Sequence, residues 1–113
     1  MPHAIIEYSE NIADKIVSRH ILHVVHGVMQ TSGLFDTNAV KTRAYGLSHC
    51  LVGDAGSSGS FIHIIVYLLD GRTPAQKQQL SQSIFDILNE RLSEVDSITV
   101  DIRDLDRQCY KKK

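Results

Sequence analysis

The sequence predicts an α+β domain: two β-α-β repeats forming a four-stranded sheet, with two helices on one face. Three observations predict it. Apolar residues alternate like a strand, then take the 3.6 period of a helix, then alternate again, and the cycle runs twice. The chain also repeats itself, with Ala4-Ile5-Ile6-Glu7-Tyr8 matching His63-Ile64-Ile65-Val66-Tyr67 at an offset of 59 residues. The same offset takes Asp14 to Thr73 at the helix starts and Val40 to Thr99 near the strands after them. A strand, helix, strand unit of this kind makes its two strands parallel through a right-handed crossover.

Residues 2–9 form the first predicted strand. Pro2, Ala4, Ile6 and Tyr8 share one face, and His3, Ile5 and Glu7 the other. Apolar residues on both faces favour an interior strand with a parallel neighbour. Ser9 or Asn11 can cap a helix at the end of this strand. Residues 12–32 then read as one helix, with Val17, Ile21, Val24 and Val28 as its stripe and Val25 and Met29 widening it. Gly33 is a natural stop.

Residues 40–52 read as a second strand, in which Gly46 marks a bulge or a close backbone approach. The run Gly53-Asp54-Ala55-Gly56-Ser57-Ser58-Gly59-Ser60 is a loop. It is not a phosphate loop, because no Lys-Ser/Thr follows and the next element is a strand. Residues 61–69 give the strongest strand, expected at the centre. After Asp70-Gly71-Arg72, Thr73 as cap, Pro74 in the first turn and Gln76 at the reciprocal position start a helix. Leu80, Ile84, Ile87, Leu88 and Leu92 give its buried stripe. Residues 97–103 form the last strand, with Ile98, Val100 and Ile102 inward. The sheet face opposite the helices also carries apolar side chains, Phe61 and Tyr67 among them. This chain supplies no cover for it, which argues for oligomerisation.

Composition narrows the function classes. A length of 113 residues with 42% apolar content suits one domain with a real core. Its expected parts are a first half at 2–53, a second at 61–105 and a basic tail at 106–113. A formal net charge of −1 gives no electrostatic case for nucleic acid or an anionic membrane. No apolar run reaches transmembrane length and no signal peptide is visible. Cys50 and Cys109 lack metal or redox spacing, so a reduced cytoplasmic protein is the simplest expectation. Lys111-Lys112-Lys113 is too short for a nucleic-acid arm and is expected to be a solvated tail.

The candidate chemistry starts at Pro2. Removal of Met1 would leave a secondary amine, both base and nucleophile, on a ring that fixes φ. Anchored at the mouth of a core strand, it is a candidate active-site group. The plain alternative is a start-site proline on a frayed terminus. His20, His23 and His26 fall at i, i+3, i+6 on the first predicted helix, where adjacent members lie within reach of a shared metal. No Glu completes a His-Glu-x-x-His arrangement, so a solvated histidine face and no metal site are expected. His3 and His63 sit in strands as satisfied near-core residues. His49 and Cys50 point to opposite strand faces and make no dyad.

The Met-Pro start, the two β-α-β halves and Asp70-Gly71-Arg72-Thr73-Pro74-Ala75-Gln76-Lys77 resemble the tautomerase superfamily. That segment is similar to the Gly-Arg-Ser/Thr-x-x-Gln-Lys stretch of 4-oxalocrotonate tautomerases. The opening Pro2-His3-Ala4-Ile5-Ile6-Glu7-Tyr8-Ser9-Glu10-Asn11-Ile12 and Thr31-Ser32-Gly33-Leu34-Phe35 are most similar to 5-carboxymethyl-2-hydroxymuconate isomerases. The resemblance spans residues 2 to about 105 and implies a tautomerase-like fold.

It also implies a cofactor-free homotrimeric isomerase of aromatic compound catabolism, with Pro2 as general base on a small unsaturated keto acid bearing two or more carboxylates. A free α-amine titrates at about 8 in peptides. Burial and nearby cations disfavour its protonated form and bring it toward neutrality, where a base is efficient. Arg72, in the turn before a helix N-terminus, takes a carboxylate-binding role from the resemblance. Lys41 and Arg43 stand where the muconate isomerases carry arginines, and Lys41 departs from that pattern with a point charge in place of a planar fork. Two alternatives stand beside this reading. One is another reaction of the same proline, hydration or dehalogenation of an unsaturated acid. The other is a trimeric interaction protein whose proline is not used.

Overall fold

A strand apolar on both faces belongs inside a sheet, and in the computed structural model, which describes residues 2–113, the first strand is interior. β1 (His3–Ser9) lies between β2 (Lys41–Leu47) and β3 (Phe61–Leu69), and β4 (Ser97–Leu105) completes the order β2-β1-β3-β4. β1 is parallel to β2 and β3 is parallel to β4, as two β-α-β units require. The halves meet antiparallel along β1 and β3, the two central strands. Met1, on whose removal a free Pro2 amine depends, lies outside the described residues.

Strand alternation splits the sheet into two different faces. Ala4, Ile6, Ile62, Ile64, Val66 and Leu68 are fully buried under the helices. Ile98, Val100 and Ile102 of β4 pack against the same core, as the alternation predicts. At about 1.5–3 kcal/mol for each large apolar side chain removed from water, this layer is the main source of stability. On the opposite face His3, Ile5, Phe61, His63, Ile65 and Tyr67 are only half-buried.

The first helical segment differs from its expectation. It is a 3-10 turn (Glu10–Ile12), then α1 (Ala13–Ser18), then α2 (Ile21–Thr31). Between the helices His20 has φ 55, the left-handed conformation that ends a helix. This break shifts the phase of the apolar stripe. The buried set is Ile12 and Ile16, then Ile21, Val25 and Met29. Val17, expected inside, is 75% exposed. The three histidines therefore do not share one helical face, because His20 stands outside α2 and His26 turns inward to Thr42, Nδ1 to Oγ1 2.7 Å.

β2 stops at Leu47, short of the expected 52, because Leu47 pairs with Ser9, the last residue of β1, and no ladder partner remains. His49 and Cys50 consequently lie in a loop, not on opposite faces of a strand. Gly46 is a close approach: a Cβ there would meet the Glu10 carboxylate and the Tyr8 ring. α3 (Pro74–Arg91) begins with the full capping box, Thr73 Oγ1 accepting from Gln76 N at 3.1 Å and Gln76 Oε1 from Thr73 N at 2.9 Å. It buries Leu80, Ile84 and Leu88. Ser9, 1% exposed, does not cap the turn after β1. Its hydroxyl donates to Asn11 Oδ1 at 2.6 Å and accepts from Phe61 N at 3.1 Å, tying the end of β1 to the start of β3.

Candidate active site at the mouth of the first strand

Register decides which residues meet. His3 is opposite Lys41 on one side and Tyr67 on the other, so the starts of β1 and β2 and the end of β3 form one end of the sheet. Pro2 is buried there. Its carbonyl accepts from Lys41 N at 3.1 Å, which continues the β1–β2 ladder back to the proline. Lys41 and Arg43, two residues apart on a strand, share the face away from the helices and are both exposed. Lys41 Nζ donates to Ala39 O at 3.1 Å. Arg43 leans back along the strand toward its start, with Nη1 3.1 Å from His3 Nδ1.

Arg72 follows β3 at the same sheet end. Its guanidinium is already engaged: Nη1 donates to Leu69 O at 3.1 Å and Nη2 to Leu34 O at 2.7 Å. The guanidinium carbon lies 5.2 Å from the centroid of the Phe35 ring. Leu34 and Phe35 come from the connector after α2, so Arg72 links the first half of the chain to the turn of the second. Two of its five N–H groups are used in these bonds.

Two residues of this neighbourhood escape the sequence reading in their roles. His3 Nε2 lies 2.8 Å from Tyr110 Oη, with the rings edge to face at 71°. Tyr110 belongs to the segment 106–113, expected to be a basic tail. A turn anchored on Asp106, which accepts from Cys109 N and Tyr110 N at 3.0 and 2.9 Å, folds that segment back. Arg107 Nε adds a bond to Asp70 Oδ1 at 3.1 Å. The only sequence signal is an aromatic residue, Tyr110, within an otherwise polar terminus. Lys111, Lys112 and Lys113 are exposed, as expected.

The electrostatics are those of a cationic corner. Burial, then Arg43, then Lys41 hold the His3 imidazole below its usual pKa. Farther along the same face, Tyr45 donates to Glu7 Oε1 at 2.8 Å, and Arg103 Nε donates to Asp101 Oδ2 at 2.7 Å. The site is distinct from an open groove of about 560 Å³ between α2 and α3, lined by Val28, Leu34, Gln76, Gln79 and Leu80 among others. Pro2, Lys41, Arg43 and Arg72 do not line that groove. Among the described residues no three His, Cys, Asp or Glu side chains are grouped as metal ligands. No helix among them is long and apolar enough to cross a membrane.

The family model for 5-carboxymethyl-2-hydroxymuconate isomerase matches residues 2–112. A 5-carboxymethyl-2-hydroxymuconate Delta-isomerase of Escherichia coli is 22% identical over 88 residues, 78% of this chain and 70% of its own. A crystal structure of a 5-carboxymethyl-2-hydroxymuconate isomerase from Deinococcus radiodurans R1 superposes with a TM-score of 0.85 at 22% identity, covering 99% of this chain and 88% of the other. A fused 4-OT wild-type symmetric trimer superposes with a TM-score of 0.77 at 13% identity, covering 94% and 88%. The fold is thus the tautomerase-like α+β fold expected from the sequence.

Proposed function

The chain belongs to the 5-carboxymethyl-2-hydroxymuconate isomerase family, and from that premise we propose that this isomerase of the tautomerase superfamily moves a proton within a small unsaturated hydroxy or keto acid of the hydroxymuconate type, with Pro2 as general base. The Pro2 amine takes a proton from one position of the substrate, breaking that C–H or O–H bond and forming N–H. Charge then spreads onto the keto oxygen and the conjugated carboxylate. The same amine returns the proton to another carbon, so the enzyme ends as it began and no cofactor enters the balance. Arg72 and Lys41 or Arg43 hold the carboxylates and the developing enolate, where preorganised cations are most effective.

The observation that carries this reading is the position of Pro2. It is buried at the sheet end, its carbonyl is held by Lys41 N, and Arg43 and Arg72 stand on the neighbouring strand and turn. A proline held in this way loses little freedom on reaching a substrate carbon. Two bonds to backbone carbonyls hold the Arg72 guanidinium in one orientation before any ligand arrives. A second reading of Arg72 has support in the same bonds: a linker between Leu34 and Leu69 that touches no substrate.

The functional particle in this proposal is a homotrimer. Ile5, Phe61, Ile65 and Tyr67 form a half-buried face that the described residues do not cover, and one neighbour of the same fold is itself a symmetric trimer. Sedimentation equilibrium should report three chains per particle, and a stable monomer would refute this. The function is tested by ultraviolet assay of enol–keto exchange across dienols with one, two and three carboxylates. Turnover should favour two or more carboxylates. Equal turnover of the monocarboxylate would refute the substrate class, and no turnover of any would refute the isomerase assignment to these substrates.

A further inference from the structure

We propose that His3 and Tyr110 are positioning residues that hold the Arg43 guanidinium at the mouth of β1 and release it when His3 is protonated. The inference rests on the substrate role given above to Arg43. It begins from donor and acceptor chemistry. A guanidinium only donates, so its contact at 3.1 Å with His3 Nδ1 requires a lone pair on that nitrogen. His3 is then neutral, with its proton on Nε2. That N–H points to Tyr110 Oη at 2.8 Å, which accepts it. The three side chains thus form one directional chain, Arg43 to His3 to Tyr110, in which each bond fixes the tautomer needed by the next.

Without this chain Arg43 would be an exposed, rotamer-rich side chain on an edge strand. With it, the guanidinium is turned toward the residue next to Pro2. Protonation of His3 places an N–H against the Arg43 N–H groups and adds a like charge, so the contact is lost. Among the described residues, the groups facing His3 are Arg43 and Lys41 from β2, Tyr67 from β3 and Tyr110 from the C-terminal turn. Beyond Tyr67, Arg103 of β4 is paired with Asp101. Among the described residues no carboxylate is bonded to His3 to favour its charged form, and the depressed imidazole pKa agrees with that arrangement.

The test uses the full chain and has two readouts. The first is nitrogen-15 NMR of the His3 ring, which needs no turnover. The Nε2–H tautomer is expected near neutral pH, titrating below its usual value, with the titration moving upward in Arg43→Ala. The Nδ1–H tautomer, or a titration indifferent to Arg43→Ala, would overturn the proposal.

The second readout is KM for a dicarboxylated dienol, measured from about pH 5 to about pH 8. In the unaltered protein KM should rise on the acid side, separately from the fall in kcat that protonation of the Pro2 base brings. His3→Leu should raise KM about three- to tenfold near neutral pH, the effect of one lost hydrogen bond, and leave no further acid rise. His3→Asn, whose amide oxygen stands in for Nδ1 and does not titrate, should restore a low KM and remove the acid rise. Tyr110→Phe keeps the ring packing and should weaken the hold on Arg43, shifting KM in the same direction as His3→Leu. A His3→Leu enzyme with unaltered KM, or a His3→Asn enzyme that keeps the acid rise, would overturn the positioning role while leaving the substrate role of Arg43 standing. If Arg43→Ala itself leaves KM unchanged, that substrate role fails, and the positioning proposal falls with it.

Discussion

Replacing Arg72 with alanine should cost stability as well as ligand affinity, and the contacts of its side chain set the size of each effect. In the folded chain the guanidinium donates to Leu69 O at 3.1 Å and Leu34 O at 2.7 Å and lies over Phe35. A hydrogen bond from a charged donor is worth about 1.5–3 kcal/mol, and a partly exposed cation–ring contact about 0.5–1 kcal/mol. Arg72 is half-buried, so water replaces some of this when the side chain is removed. A net loss of about 2–4 kcal/mol results. For a chain of 113 residues that is a fall in Tm of roughly 8–16 °C.

Arg72→Lys keeps the charge but cannot reach two carbonyls with one planar group, so it should recover less than half of the loss. The assay is thermal unfolding at one fixed protein concentration, because assembly shifts apparent stability. Ligand affinity is measured separately, well below the unfolding range. There Arg72→Ala should weaken a dicarboxylate by about ten- to a hundredfold and a monocarboxylate far less. An Arg72→Ala protein as stable as the parent would refute the linkage between Leu34 and Leu69. Equal weakening of both ligands, or of neither, would refute the carboxylate role while leaving the linkage intact.

Other outcomes come from the packing and the charges of the fold. Gly46→Ala should destabilise by about 1–3 kcal/mol in urea unfolding, since its methyl group would displace the Glu10 side chain and the Tyr8 ring. Ser9→Ala should cost about 1–3 kcal/mol by the same measurement, because it removes the acceptor for Phe61 N and the donor to Asn11 in a buried position. The depressed His3 pKa means that the unfolded chain takes up this proton first as pH falls. Its contribution to stability is therefore complete above the ordinary value of about 6.5 and is lost as pH drops through the folded value; His3→Asn should flatten that part of the stability profile.

The elements legible in the sequence are those whose local signals agree with their tertiary partners. The 59-residue repeat, the two runs Ala4–Tyr8 and His63–Tyr67, and the Thr73-Pro74-Ala75-Gln76 cap each specify an element and its neighbour at once. Periodicity misplaces the first helix because it assumes a constant turn angle, and one left-handed residue, His20, resets it. No glycine announces that break. The end of β2 is illegible for a different reason: strand length is set by the partner, and β1 ends at Ser9. At the candidate site, Pro2 can be named from its place behind Met1 at the mouth of a predicted strand, and Lys41 and Arg43 from the resemblance to the muconate isomerases; register brings them to one end of the sheet. The engagement of Arg72 with Leu34, and the return of Tyr110 to His3 from the far end of the chain, depend on contacts across 38 and 107 residues. No local pattern encodes contacts of that range.

The central claim is that the nitrogen of Pro2 carries the proton. Its most direct test compares isomerase activity on a dicarboxylated dienol between protein with a free Pro2 amine and the same protein acetylated at that nitrogen. Acetylation turns the amine into an amide, which is no longer basic, while adding little bulk. The account predicts that activity is lost on acetylation, with the sheet and the oligomer intact by circular dichroism and sedimentation. Full activity in the acetylated protein would contradict it.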